Sequence, residues 1–375
     1  MKILAIETSC DETGVAVLEF NLPAGESTAQ PKVLLELLSS QVDIHAKTHG
    51  IVPEIASRIH SEILPQFLMS VDQKIGLKNI GYIATTTHPG LLGSLLVGNN
   101  FARILGNLYH KPLISINHLI GHFYSPFVNL SLSNLEFPAL GLIVSGGHTM
   151  LILATAKNRF KIIGETRDDA AGEAFDKIAR LLGLGYPGGP AINQAAQQVK
   201  KSNFKFTPPM LDSHDLDFSF SGLKTQVRQT VEKLTQQGHP EVMPRDLAFR
   251  QQTNAHRHSS EILRLLPQND KQVQSEIAFS AQKAIVESLV EKSFSAVEKF
   301  RPKIFILGGG VSANNLLREK LVEKLSILMP KDRIYLPEKK YSTDNAAMIA
   351  LAAYLSLPEN VVAWDKLKTS PSSNL

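Results

Sequence analysis

The pattern that most restricts this chain is a strand, a short polar turn and a second strand, written at its start and again near residue 139. MKILAIE is an apolar run of buried-strand length, TSCDETG a small polar turn, and VAVLEF a second apolar run. ALGLIV (139–144), SGGHT (145–149) and MLILAT (150–155) repeat that order. The two copies share a pattern, not letters. A hairpin at the head of each half, tipped with hydroxyls, carboxylates or glycines, predicts a two-lobed α/β protein whose two turns face one cleft.

The 375 residues give room for such an arrangement, at 43% hydrophobic and 20% charged. No apolar run approaches the roughly 18 residues of a membrane span, and the run after Lys2 stops at Glu7, too soon for a signal-peptide core. A cytoplasmic protein is expected. The single cysteine, Cys10, excludes an internal disulfide and a cysteine-based zinc cage. It reads as a small buried hydrophobe near a strand end. A formal charge of +4 permits an RNA or phosphate-bearing partner without requiring one. Between the hairpins, Pro53 to Gln66 reads as a helix, with Ile55, Ile59 and Ile63 at fours. LLGSLLVGNNFARILGNLYH reads as another, and KPLISIN as a strand leading to His118. DDAAGEAFDKIARLLG predicts a helix ending near Gly183, residues 276–300 a long one, and YSTDNAAMIALAAYLSL a helix capped by Ser342 or Thr343. Residues 21–32, 200–216 and 252–275 read as loops or insertions, and KTSPSSNL as a disordered tail.

INHLIGH (116–122) places His118 and His122 on one helical face, close enough to share a cation. In a chain of 12 histidines such a pair also arises by chance. A zinc peptidase of the H-E-x-x-H type is a poor match, because Leu119 stands where the general-base glutamate belongs. Three glycine turns, IVSGGHT, YPGGP and FILGGGVS, let the backbone approach an anion closely. None is a dinucleotide or P-loop fingerprint. Asp168, Asp169, Glu173 and Asp176 crowd one predicted helix. Glu173 and Asp176 share a face that suits a ribose, and the alternative is a cluster that only stabilises the helix dipole.

In chain order, ETSCDETG, HGIVPEIASRIH, NHLIGH, LIVSGGHT, DDAAGEAFDKIARLLGLGYPGGP, LDFSFSGLKT, GGGVSANN and STDNAAMIA resemble the TsaD/Gcp family of tRNA N6-adenosine threonylcarbamoyltransferases. The resemblance runs from residue 7 to about 350 and implies an actin/Hsp70/sugar-kinase (ASKHA) fold with duplicated RNase H-like lobes. It implies a first lobe of residues 1–133 plus 342–375 and a second of 134–341, with an insertion near 252–275. By resemblance, Asp344 joins His118 and His122 around one divalent metal, iron ahead of zinc. Val144, Ser145, Gly146, Gly147, His148, Asp176, Gly189, Asn193 and Asn314 are carried over as nucleotide and substrate contacts. The implied reaction moves threonylcarbamoyl from threonylcarbamoyl-AMP to N6 of adenosine 37 in tRNAs reading codons that begin with A, releasing AMP. The implied partners are tRNA, a TsaB-like paralogous subunit and a small TsaE-like ATPase, with no membrane. No residue is assigned as general base.

The chain departs from the family in three places. His88 in Thr86-Thr87-His88-Pro89-Gly90 replaces a small residue, a second glycine is missing beside His49-Gly50, and Asn193 stands where many relatives carry aspartate. His45 and His60 read as exposed-loop and helix-face histidines. Two other functions use the same turns: an ATP-dependent kinase, which has no need of a His-x-x-x-His pair, and a non-catalytic nucleotide-binding scaffold, which would tolerate loss of Asp344.

Overall fold

Strand β1 (Lys2–Glu7) is apolar on both faces, with Ile3, Leu4, Ala5 and Ile6 all fully buried. A strand of that kind belongs at the centre of a sheet covered on both sides. The computed structural model places it so, and describes residues 1–22, 29–48, 50–208, 210–211, 213, 215–238 and 271–372. β1 pairs antiparallel with β2 (Glu12–Phe20), which pairs antiparallel with β3 (Pro31–Ser40). After the short α1 (Val42–Ala46) and the long α2 (Pro53–Lys74), β4 (Tyr82–His88) lies parallel to β1 on its other side. Helix α3 (Leu92–Tyr109) leads to β5 (Leu113–Asn117), and α4 (His118–Tyr124) follows at once.

The second half repeats this order. β6 (Ala139–Val144), β7 (Thr149–Ala156) and β8 (Arg159–Glu165) form an antiparallel meander. Then come α5 (Ala171–Leu181), α6 (Gly188–Ala196), α7 (Ser221–Gly238) and α8 (Lys271–Phe300). β9 (Ile304–Gly308) lies parallel to β6, α9 (Asn315–Leu325) follows, and β10 (Ile334–Tyr335) lies parallel to β9. Finally α10 (Ala346–Ser356) and β11 (Val361–Val362) return to the first sheet. The sheet orders are β11-β5-β4-β1-β2-β3 and β10-β9-β6-β7-β8. Stripped of β11, each is the same five-strand motif, and the molecule has the two-lobed ASKHA architecture that the resemblance implied.

Side chains alternate between layers as the pleat requires. Leu4, Ile6, Val15 and Val17 pack outward on α2 and α3, while Ile3, Ala5, Ala16 and Leu18 pack inward on α4 and α10. The same inner layer receives Ile143, Met150, Ile152, Ile304 and Ile306 from the second sheet, whose other face is covered by α5 to α9. α10 is apolar all round and wholly buried, as a helix between two sheets must be. Phe20 stacks on Tyr354 at 4.0 Å.

Four readings are corrected. Pro31 and Lys32, expected as the end of a loop, instead open an edge strand that runs over 31–40: Glu36 interrupts the apolar run of VLLELL, and the pairing that makes it a strand comes from β2. The cap of α10 is neither Ser342 nor Thr343 but Asn345, which accepts from the Met348 amide at 2.9 Å. The described part of the tail is held against the first lobe: Asn99 donates to Thr369 Oγ1 at 2.8 Å, the Ser370 amide donates to the Thr87 carbonyl at 3.0 Å and the Gly90 amide to the Pro371 carbonyl at 3.4 Å, while Pro371 and Ser372 are exposed. His45 and His60 are both fully buried. The expected insertion at 252–275 lies outside the described residues up to 270, and 271–275 begin α8. Among the described residues no helix is long and apolar enough to cross a membrane.

Candidate metal centre and glycine cradle

Asn117 ends β5 and caps α4, its side chain accepting from the Leu119 amide at 2.8 Å. That junction puts His118 on the first helical position and His122 one turn later. Asp344 arrives from the far end of the chain, just before the Asn345 cap. Its Oδ1 stands 3.3 Å from His118 Nε2 and 3.1 Å from His122 Nε2. The two imidazoles are nearly perpendicular, with centroids 4.6 Å apart, and the three donor atoms all lie within 4.8 Å of one another.

Glycines make this convergence possible. A Cβ at Gly121 would stand 2.8 Å from Ile349 Cδ1 and 3.2 Å from Met348 Cγ, so α4 and α10 approach closely only because residue 121 has no side chain. A Cβ at Gly308 would run into the His122 carbonyl. The middle of INHLIGH and the start of the triple-glycine turn are thus parts of the same site.

His118 also reaches behind itself. Its Nδ1 lies 3.2 Å from Glu7 Oε2 and 3.1 Å from Ser9 Oγ. Glu7 is fully buried and accepts further from Thr86 Oγ1 at 2.5 Å and the Ser9 amide at 2.6 Å. A carboxylate on the outer nitrogen of a ligating histidine fixes the ring and its tautomer. Neither Glu7 nor Ser9 was singled out in the sequence, although both sit in ETSCDETG, where a buried strand meets its polar turn. Burial lowers the affinity of both histidines for a proton. At His118 the Asp344 and Glu7 charges outweigh burial and hold it well above the usual imidazole range. At His122 burial and the neighbouring His118 prevail, so its pKa is lowered. Burial disfavours the Asp344 charge, but the two histidines more than offset this and hold the carboxyl below its ordinary range. His122 Nδ1 has no hydrogen-bond partner among the described residues. Two imidazoles and a carboxylate on one face, the first backed by a buried carboxylate, fit a divalent cation of the iron or zinc type with positions left for a substrate.

Two of the glycine turns border this centre, the triple-glycine turn through Gly308 at the His122 carbonyl and SGGH through the Val144 carbonyl against Gly309. In SGGH the Ser145 amide donates to the His148 carbonyl at 2.8 Å and the His148 amide to Ser145 Oγ at 3.1 Å, closing a tight turn at the end of Val144. Gly146 and Gly147 do not have left-handed backbones, and nothing lies within 4 Å of where a Cβ would stand. Neither the backbone nor the packing demands glycine there. The open space itself is the feature, and it suits a group that must approach the backbone. Gly309, in contrast, is held at φ 87° against the Val144 carbonyl, whereas Gly310 and Gly189 face open space. His148 is pushed down to about 4 by burial and then by the positive fields of His118 and His122, so it is neutral at physiological pH.

The other carried-over residues are placed as follows. Asp176 accepts the Gly188 amide at 2.7 Å, and its carboxyl is raised, chiefly by burial. Asn314 caps α9 through the Leu317 amide at 3.1 Å and donates to Gln282 Oε1 at 3.1 Å, so its side-chain amide is engaged within the protein. Asn193 lies half-buried on α6, five residues after Gly188. The acidic helix start is divided. Asp168 anchors the FSFSG segment, accepting from Ser219 and Ser221 hydroxyls at 2.5 and 2.6 Å and from the Phe220 amide at 2.7 Å. Asp169 and Glu173 both pair with Lys177, at 2.5 and 3.4 Å. Only Asp176 of the four faces the YPGGP turn. Cys10 sits near the end of β1 as expected but is half-buried, not buried; burial of the thiol, then Asp344, Asp11 and Glu12, push it well up and keep it protonated.

Comparison with known proteins gives the family and the fold. The family model described as TsaD, tRNA N6-adenosine threonylcarbamoyltransferase, matches residues 32–351. A protein of that name from Thermosipho africanus is 39% identical over 99% of both chains. One from Thermosipho melanesiensis is 43% identical over 94% of both. Among solved structures, T. kodakarensis HypF superposes with a TM-score of 0.56 at 13% identity, covering 98% of this chain and 49% of that one, a likeness of fold alone. The chain belongs to the TsaD family of tRNA N6-adenosine threonylcarbamoyltransferases.

Proposed function

We propose that this enzyme transfers threonylcarbamoyl from threonylcarbamoyl-AMP to N6 of adenosine 37 in tRNAs reading codons that begin with A. The observation that carries the reading is the adjacency of the His118/His122/Asp344 cluster to open glycine turns, with Gly308 seated on the His122 carbonyl and Gly309 on that of Val144. The N6–carbonyl bond forms as the bond from that carbonyl to the phosphate oxygen of AMP breaks, and N6 gives up one proton to solvent. Gly146, Gly147 and Gly310 present backbone to the AMP phosphate and stabilise the charge that grows on it as a leaving group. Asp176, Gly189 and Asn193 line the nucleoside side, and Asn314 supports it by capping α9. Neutral His148 adds a hydrogen-bonding group without a competing positive charge. A divalent ion held by His118, His122 and Asp344, iron ahead of zinc, would supply a Lewis acid and an anchor for the threonyl oxygens. The two lobes take the boundaries 1–133 with 342–375, and 134–341.

A TsaB-like subunit and a TsaE-like ATPase are the proposed partners, in the cytoplasm. Leu92, Leu96, Ile104 and Leu108 form an exposed apolar row on α3 suited to a partner helix. The test is complementation of cells depleted of their own enzyme, with N6-threonylcarbamoyladenosine measured in total tRNA by mass spectrometry. Restoration of the modified nucleoside supports the reading. Its absence, with phosphoryl transfer to a small molecule instead, would establish the kinase alternative.

A further inference from the structure

The turn joining β1 to β2 reaches the metal cluster, where Ser9 Oγ lies 3.1 Å from His118 Nδ1. Its charges are also felt on the nucleotide side, Asp11 acting on Asp176, and Asp11, Cys10 and Glu12 on Tyr186. Three successive carbonyls of this turn are held from behind by three different segments. Ser9 accepts the Leu91 amide at 2.8 Å, Asp11 accepts the Gln41 amide at 3.0 Å, and Cys10 accepts Nε2–H of His60 at 3.0 Å.

His60 is the end of a longer chain of bonds. The Val52 amide donates to His45 Nδ1 at 3.3 Å, and His45 Nε2–H to Gln41 Oε1 at 3.2 Å. Gln41 Nε2 donates to His60 Nδ1 at 3.4 Å, and the Thr13 hydroxyl donates to the same nitrogen at 2.8 Å. His45, Gln41 and His60 are all buried. An amide that can only donate stands at one end and a carbonyl that can only accept at the other. The direction of every link between them is therefore fixed: both imidazoles are neutral and carry their proton on Nε2, and the Gln41 amide has one orientation. Burial lowers the His60 pKa despite the Cys10 carbonyl and the Glu7 and Asp11 charges, which agrees with a neutral ring.

We infer that His60, oriented by Gln41 and His45, is a positioning residue for the transfer reaction, holding the Ser9–Glu12 turn at the height where it lines the cleft between the metal cluster and the nucleotide side. The inference rests on the transferase reading. Displacing a cleft-lining turn by about 1 Å can cost on the order of 100-fold in rate. The experiment is a steady-state assay of the metal-loaded full chain with threonylcarbamoyl-AMP, tRNA and the partner subunits. His60→Leu, which cannot donate to Cys10, lowers kcat by about 100-fold at saturating metal while the KM for tRNA stays unchanged. His60→Gln, whose amide nitrogen stands where Nε2 stood, recovers most of the loss. Wild-type kcat in His60→Leu, or a folded His60→Gln as poor as His60→Leu, overturns the inference. Where the leucine variant does not fold, imidazole 15N spectra of the wild-type chain decide: neutral Nε2–H rings at His45 and His60 at pH 7 support the clamp, and an Nδ1–H or cationic His60 overturns it. A wild-type chain inactive in the assay contradicts the transferase reading instead, and the spectra still decide the clamp.

Discussion

Gly308→Ala isolates how the metal cluster is held, because it changes no ligand. The added Cβ would stand 3.0 Å from the His122 carbonyl carbon and 2.9 Å from Ile143 Cδ1, and closer still to the His122 carbonyl oxygen. Non-bonded carbons prefer about 3.5–4.0 Å, so the His122 backbone must retreat by at least about half an ångström. Ile143 is buried in the layer between the sheets and cannot give way freely. Ligand distances in metal sites hold to within about 0.2 Å, so a shift of that size pulls one of three donors out of register. Loss of the supports of a ligand weakens metal affinity about 10–100-fold, which is about 1.4–2.7 kcal/mol. The assay is competition titration of Zn2+ or Co2+ against a chelator, with the melting temperature followed in parallel, since overpacking costs about 1–3 kcal/mol of stability. Gly310→Ala is the internal control: it lies two residues on in the same turn, faces open space, and should leave metal affinity unchanged. Equal metal affinity in Gly308→Ala and wild type would refute the reasoning, as would an equal loss in Gly310→Ala.

Three further outcomes follow from the same geometry. Gly146→Val places a branched side chain in open space beside the SGGH turn. It should weaken AMP binding at least tenfold by isothermal titration, about 1.4 kcal/mol, with little change in melting temperature; unaltered AMP affinity counts against the phosphate cradle. Glu7→Gln removes the carboxylate behind His118 Nδ1 and should lower metal affinity about 10–100-fold, as read by metal competition on the folded protein; unchanged affinity would show that Glu7 does not orient the ligand. His148, held near 4, should take up no proton in an NMR titration from pH 8 to 5. Its folded value lies below that of the unfolded chain, so the unfolded state binds the proton first. Stability is therefore lost as pH falls from about 6.5 toward 4, and His148→Gln should remove that part of the pH dependence.

What the letters reveal depends on how local the cause is. β1, β2, β6 and β7 are legible because a fully buried strand must be continuously apolar and its turn must be polar. β3 and β8 are not. They are outer strands with mixed exposure, and only their neighbours make them strands. His118 and His122 are visible as a pair because a helix turn is a fixed spacing. Asp344 is not, since 222 positions separate it from His122; it enters by resemblance and is placed by the packing of α10 on α4 through Gly121. The misread histidines show the same limit. Nothing near His45 or His60 in the sequence says that Gln41 and the Cys10 carbonyl will meet them, and their burial is a property of the closed lobe. The cap of α10 is a smaller case: Ser342, Thr343 and Asn345 all suit the role chemically, and the register that selects Asn345 is set by the descent of the chain to bring Asp344 to the histidines.

Anomalous diffraction from crystals grown with the bound metal, recorded at its absorption edge, bears most directly on the whole account. The predicted result is one peak shared by His118 Nε2, His122 Nε2 and an Asp344 oxygen at about 2.0–2.2 Å, beside the SGGH turn. A peak elsewhere, or none in an enzyme that still modifies tRNA, would contradict it.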